Sequence, residues 1–214
     1  MTSYDIKELR RINYIAILRD EAFGYVPRQA WTFENAGVMT KSLQKIRKYA
    51  EEWDSVNREG IGLILIGDSS TGKSYAAGCV ANELLDHMIS VRFVRMVDVV
   101  NDLQGCYGEE RAKYYKNIMS PELLIIDDLG AERNTSFAQE CVFDLIEHRV
   151  STGKPMMVTT NTSVQTMKNT TNVSERRIYD RILACCVPVL LDGVNFRKDI
   201  ALKKLKKAKQ LFQL

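Results

Sequence analysis

No apolar stretch in the 214 residues approaches the ~20 that a membrane-spanning helix requires. The N-terminal residues are charged where a secretory signal would carry its apolar core, so no such leader is expected. The five cysteines include no CxxC pair and no metal-ligand spacing. Cys185 and Cys186 are adjacent, which suits neither an ordinary disulfide nor a zinc site. Reduced thiols in a cytoplasmic protein are the expectation, with no membrane partner. The two histidines, His87 and His148, are isolated near predicted helix ends, where helix dipole and solvent account for them. There is no internal repeat and no low-complexity linker. A net charge of +3 is too mild by itself to imply a nucleic-acid partner. It is uneven, however: seven Lys/Arg and two Asp in 192–214 make +5, leaving −2 elsewhere. With 45% hydrophobic residues, the chain suffices for one domain with a short extension.

The most informative stretch is Gly67-Asp68-Ser69-Ser70-Thr71-Gly72-Lys73-Ser74, which fits the phosphate-binding pattern G-x-x-x-x-G-K-[ST]. Ile61–Ile66 before it reads as a buried strand. Tyr75 to Met88 after it reads as a helix, with Ala76, Ala77, Val80, Ala81, Leu84 and Leu85 at helical spacing. Glycines permit the turn and let main-chain N–H groups approach phosphate oxygens, and the helix start adds its positive dipole end. Lys73 is expected to reach the β- and γ-phosphates and Ser74 to hold Mg²⁺.

Strands are predicted at 61–66, 91–95, 123–127, 155–160 and 186–191. Helices are predicted at 1–24, 40–56, 73–88, 98–104, 109–118, 135–150, 163–168 and 174–184. In the first helix Ile6, Leu9, Ile12 or Asn13, Ile15 or Ala16 and Leu18 approximate one apolar face, and in the helix at 135 Ser136–Gln139 fits a capping box. This alternation predicts a parallel five-stranded α/β sheet with helices on both faces. Residues 1–37 read as a helical extension and aromatic loop, 38–192 as the core, and 193–214 as a basic C-terminal segment. The aromatic loop Trp31–Gly37 is read either as a hydrophobic tether on the core or as lining an adenine pocket.

Leu123 to Asp128 is an apolar strand ending in two carboxylates, the Walker B pattern. Asp127 is expected to order Mg²⁺ and Asp128 to orient or deprotonate a water. Met156 to Asn161 is a second strand ending in polar groups. Asn161 fits a contact to water or γ-phosphate, and equally an Asx turn.

Together, Thr32–Asn35, the P-loop, Asp127-Asp128-Leu129-Gly130, Thr159-Thr160-Asn161, Arg177 to Ile182 and Gly193 to Arg197 resemble the DnaC/IstB type of AAA+ ATPase. These are bacterial replicative helicase loaders and transposition helpers. The resemblance implies a P-loop NTPase fold, ATP and Mg²⁺ as ligands, and weak ATPase activity that rises on assembly or with DNA. It makes Asn161 sensor 1, Arg177 and Arg181 the arginines offered to a neighbouring subunit, and Arg197 sensor 2. Phe33 and Asn35 would lie near adenine, and Tyr75 closes the nucleotide-binding set that begins at Gly67.

It also implies partners: a replicative helicase or a transposase, single-stranded DNA, and further copies in a nucleotide-dependent homo-oligomer. Helicase loading is the leading expectation, with a transposition helper on duplex DNA or a non-hydrolysing adaptor as alternatives. Arg111, Lys113, Tyr114 and Lys116 lie where loaders of this clade carry a DNA-contacting insertion, and equally fit a solvated helix. Asp128 departs from the usual glutamate, implying slow turnover in isolation. The 21 residues after Gly193 allow about one helix, Asp199 to Leu211, hence a reduced C-terminal lid. The 66 residues before Gly67 contain no Cys/His cluster, so the zinc-bearing domain of some loaders is not expected.

Overall fold

Five parallel strands form one sheet in the order β2-β3-β4-β1-β5, where β1 is Gly62–Ile66, β2 Val91–Arg95, β3 Leu123–Leu129, β4 Met156–Thr160 and β5 Cys186–Leu190. The computed structural model describes residues 3–24, 26, 28–132, 135–192 and 205–212. The helices are α1 (Ser3–Phe23), α2 (Lys41–Glu51), α3 (Trp53–Glu59), α4 (Lys73–Asp86), α5 (Met96–Gln104), α6 (Glu109–Met119), α7 (Ser136–Ser151), α8 (Val164–Asn169) and α9 (Val173–Cys185). Past β5, residues 205–212 are helical. No helix among the described residues is long and apolar enough to cross a membrane.

Alternating residues of each strand enter two separate cores. Leu63, Leu65, Phe93, Leu123, Ile125 and Met157 pack beneath α1, α2 and α4. Ile64, Ile66, Leu124, Ile126 and Val158 pack beneath α5, α6, α7 and α9. Covering both faces is why β1 and β4 are buried at every position and their sequences do not alternate in polarity.

Three local expectations are corrected. The helix expected over 40–56 is two helices, broken at Glu52, whose backbone (φ −95°, ψ 24°) ends α2 and starts α3. The cap of α7 is Thr135, whose hydroxyl accepts from the Ala138 amide, so Ser136–Gln139 is not a capping box. The apolar face read along the first helix is only half used. Ile15 and Leu18 are buried together with Ala22 and Phe23, whereas Ile6, Leu9 and Ile12 are exposed.

Arg149, in α7, is fully buried without a carboxylate partner among the described residues. Its guanidinium donates to the carbonyls of Met119 (3.1 Å), Pro121 (2.9 Å), Glu122 (2.6 Å) and Pro155 (2.7 and 3.1 Å). It ties the turn before β3 to the turn before β4. Burial lowers its pKa to about 10. Arg149→Met would leave four carbonyls short of a donor, each costing about 1–3 kcal/mol. Urea denaturation should show a loss on the order of 3 kcal/mol or more; a change under about 1 kcal/mol would mean that water replaces the tie.

Candidate nucleotide site

The loop from Gly67 to Gly72 joins the C-terminal end of β1 to α4. Its curvature is set by Ser70 and Gly72, with φ of 73° and 90°. A Cβ on Gly67 would lie 2.1 Å from the Leu191 carbonyl oxygen, so only glycine fits between loop and chain at that point. The Thr71 hydroxyl donates to the Asp68 carbonyl at 2.9 Å, while Asp68 and Ser69 face solvent. Lys73 folds back under the loop. Its buried Nζ donates to the Gly67 and Asp68 carbonyls (2.8 Å each) and to Asn161 Oδ1 at 2.7 Å. Lys73 and Asn161, 88 positions apart in sequence, thus meet at one end of the sheet.

Beside them the β3–β4 pairing slips. Ile126 pairs with Val158 and Leu129 with Thr160, so Asp127 and Asp128 together oppose Thr159. This β-bulge puts Asp128 in the left-handed region (φ 56°). A regular strand would turn Leu129 to the same face as Asp127; the bulge instead sends it into the core beneath α7. Thr159 braces the bulge by accepting from the Asp128 amide (2.9 Å) and donating to Asp127 Oδ1 (2.6 Å). Asp127 is only 3% exposed, and Asp128 is open to solvent. Burial raises the Asp127 pKa, against hydrogen bonds from Thr159 and Ser74 and the charge of Arg28. The Ser74 hydroxyl and the Asp127 carboxylate therefore lie together as hard oxygen donors. No group of three or more His, Cys, Asp or Glu among the described residues is placed to hold a metal. Such a donor pair suits Mg²⁺ completed by phosphate oxygens and water rather than a protein cage.

The aromatic loop lies against α4. Tyr75 donates to the Thr32 carbonyl (2.9 Å), and Asn82 Nδ2 donates to the carbonyls of Arg28 (2.8 Å) and Trp31 (3.0 Å). Phe33 is 2% exposed within the core, so its ring serves as a tether. The Asn35 side chain donates to the Ala30 carbonyl at 3.1 Å.

The IstB-like ATP binding protein family matches residues 33–204. The chain belongs to this family. Its sequence is 26% identical over 181 residues to the replicative helicase loader DnaI of Bacillus subtilis (strain 168), covering 78% of this chain and 58% of DnaI. It is 25% identical over 194 residues to the putative ATP-binding protein Rv3427c in insertion sequence of Mycobacterium tuberculosis, covering 89% of this chain and 72% of that protein. The fold is similar to that of a putative primosome component from Streptococcus pyogenes serotype M3. The TM-score is 0.67 at 21% identity, with 84% and 97% of the two chains covered. The chain is thus one of the DnaC/DnaI/IstB group of AAA+ ATPases, for which ATP binding is a general property.

In this IstB-like chain, Arg177 and Arg181 share one face of α9, as their spacing requires. Both lie along α7: the Arg177 guanidinium sits 4.3 Å over the Phe143 ring, and Arg181 Nε donates to Glu147 at 2.6 Å. On α6, Arg111 reaches Asp144 (3.2 Å) and Glu140 (3.5 Å) of α7, and the Tyr114 hydroxyl donates to Asp102 at 2.9 Å. Lys113 and Lys116 are exposed. Arg197 lies outside the described residues.

Two site residues were not singled out from sequence. Thr159 belongs to the Thr159-Thr160-Asn161 strand end, but only pairing across the sheet reveals its contacts with both aspartates. Arg28, 6% exposed and 4.3 Å over the Phe93 ring, contributes positive charge near Asp127, and no local pattern announces it.

Proposed function

We propose that this chain is an ATP-hydrolysing switch of DNA replication that engages a replicative helicase and single-stranded DNA. The observation that carries the reading is the convergence of Lys73, Asn161, Ser74, Asp127 and Asp128 at one end of the parallel sheet. Open α/β sheets bind ligands at the carboxyl ends of their strands. In this reading the P-loop amides and the start of α4 hold the phosphates. Lys73 exchanges its carbonyl partners for the β- and γ-phosphates. Ser74 and Asp127 would hold Mg²⁺, which shields phosphate charge. Asp128, exposed on its bulge, orients or deprotonates the attacking water, and Asn161 fixes the γ-phosphate or that water. Tyr75 and Asn35 shape the wall nearest the base, with Phe33 anchoring the aromatic loop from the core. Arg177 and Arg181 serve the next subunit's nucleotide, and Arg197 serves the chain's own.

The helicase is favoured as partner by the similarity to DnaI. A transposition helper is the second reading, favoured by the similarity to the insertion-sequence protein. Affinity capture from host lysate with a non-hydrolysable ATP analogue separates them. The helicase should be recovered; transposase without helicase would overturn the proposal in favour of the second reading.

The DNA surface is assigned to α6 through Lys113 and Lys116, since Arg111 and Tyr114 are engaged within the fold. Each lysine that neutralises a phosphate of a single strand contributes about 0.7 to the salt slope. Lys113→Ala with Lys116→Ala should therefore flatten log K against log salt by about 1.4. An unchanged slope would put the DNA elsewhere, the basic C-terminal segment included.

A further inference from the structure

Cys185 ends α9 and Cys186 begins β5. Their sulfurs are 3.7 Å apart in a thiol–thiol hydrogen bond. Cys185 is half-buried, its Sγ also meeting the Arg181 carbonyl at 3.3 Å. Cys186 is buried against β1, and a Cβ added to Gly62 would come within 2.6 Å of its sulfur. One thiol is thus reachable, and the other is wedged behind it with its sulfur already facing the first. We propose that this pair is a reversible oxidation site, at which a low-molecular-weight disulfide converts Cys185 and Cys186 to a vicinal disulfide that loosens the α9–β5 junction.

The steps balance. The Cys185 thiolate attacks one sulfur of glutathione disulfide, forming a mixed disulfide and releasing one glutathione. The Cys186 sulfur then attacks Cys185 Sγ and expels the second. Two protein thiols are oxidised, one glutathione disulfide is reduced to two thiols, and the protein's two protons pass to them. The hydrogen bond from Cys186 lowers the Cys185 pKa, which favours Cys185 as the attacking thiolate. The product is strained. Neighbouring Cα atoms are about 3.8 Å apart, below the usual disulfide span of about 4.4–6.8 Å. Strain makes the bond easily reduced, the property of regulatory rather than structural disulfides. It also falls on the Cys186 amide, which donates to the Ile182 carbonyl, and on the pairing of Cys186 with Gly62. Any effect on hydrolysis rests on the role proposed for α9; the thiol chemistry does not, and its test needs no nucleotide.

The full chain is equilibrated in glutathione buffers of rising oxidised fraction, alkylated and digested with trypsin. Cleavage after Arg181 and Arg197 puts this pair on one peptide, apart from Cys79, Cys106 and Cys141. The expected product is that peptide lighter by two hydrogens, with faster amide exchange around Ile182 to Val187, both reversed by dithiothreitol. Cys186→Ala should instead stop at a glutathione adduct on Cys185. Overturning results are a lasting adduct on Cys185 in the parent chain, no oxidation at any ratio, or a disulfide that leaves exchange unchanged.

Discussion

Arg181→Ala is expected to leave ATP binding intact and to remove DNA- or partner-stimulated hydrolysis. Arginine fingers in related phosphoryl transfer contribute roughly 10³–10⁵ in rate, so the loss should reach the unstimulated background. The structure bears on this in two ways. Arg181 lies on α9 and pairs with Glu147 of α7, and neither residue belongs to the P-loop or to the ends of β3 and β4. The pair is also exposed, with side-chain accessibilities of 49% and 42%. Solvated, screened pairs hold their partners weakly, so Arg181 is available to a more demanding anion at small cost. For the same reason its removal should leave the fold intact. Nucleotide titration and stimulated phosphate release, measured on one preparation, check both halves. Hydrolysis at the parent rate would show that Arg181 is only a surface residue.

Lys73→Ala is expected to weaken nucleotide binding at least about 100-fold. Charge-assisted hydrogen bonds contribute about 1.5–3 kcal/mol each, and the proposed role gives Lys73 two to phosphate. The cost falls on binding because, in the proposed role, the Lys73 ammonium leaves the carbonyls of Gly67 and Asp68 for the phosphates. Alanine would leave the phosphate charge uncompensated in the bound state. Titration with a fluorescent ATP analogue gives the affinity, and circular dichroism checks the fold. Affinity within about threefold of the parent would remove Lys73 from the site.

Motifs carried by contiguous residues were legible in the sequence. The P-loop and the strand ending before Asn161 fall where their patterns indicated, whereas β3 runs on through Asp127 and Asp128 to Leu129. Each is written in local chemistry: glycine at turns, and unbroken apolar residues in strands buried on both faces. The features that went unread depend on neighbours distant in sequence. The bulge at Asp128 uses an aspartate in the left-handed region, without the glycine that would have flagged it. Thr159 becomes a brace only once β4 lies beside β3. Arg149 reads as one more charge on an amphipathic helix until the turns before β3 and β4 close over it. Arg111 and Tyr114 fit a DNA surface and a solvated helix equally in sequence, because the carboxylates of Asp144 and Asp102 that engage them lie on α7 and α5. The break at Glu52 has no proline or glycine to mark it.

If hydrolysis occurs at a site shared between subunits, two inactive proteins should repair one another. Mixing Lys73→Ala with Arg181→Ala creates some interfaces that join an intact P-loop to an intact finger. In a head-to-tail assembly those interfaces are competent. Stimulated phosphate release is predicted to return in part, with a maximum at intermediate mixing ratios. If both proteins are folded and co-assemble but no mixture recovers activity, Arg181 acts within its own subunit or not at all, and the shared site is contradicted.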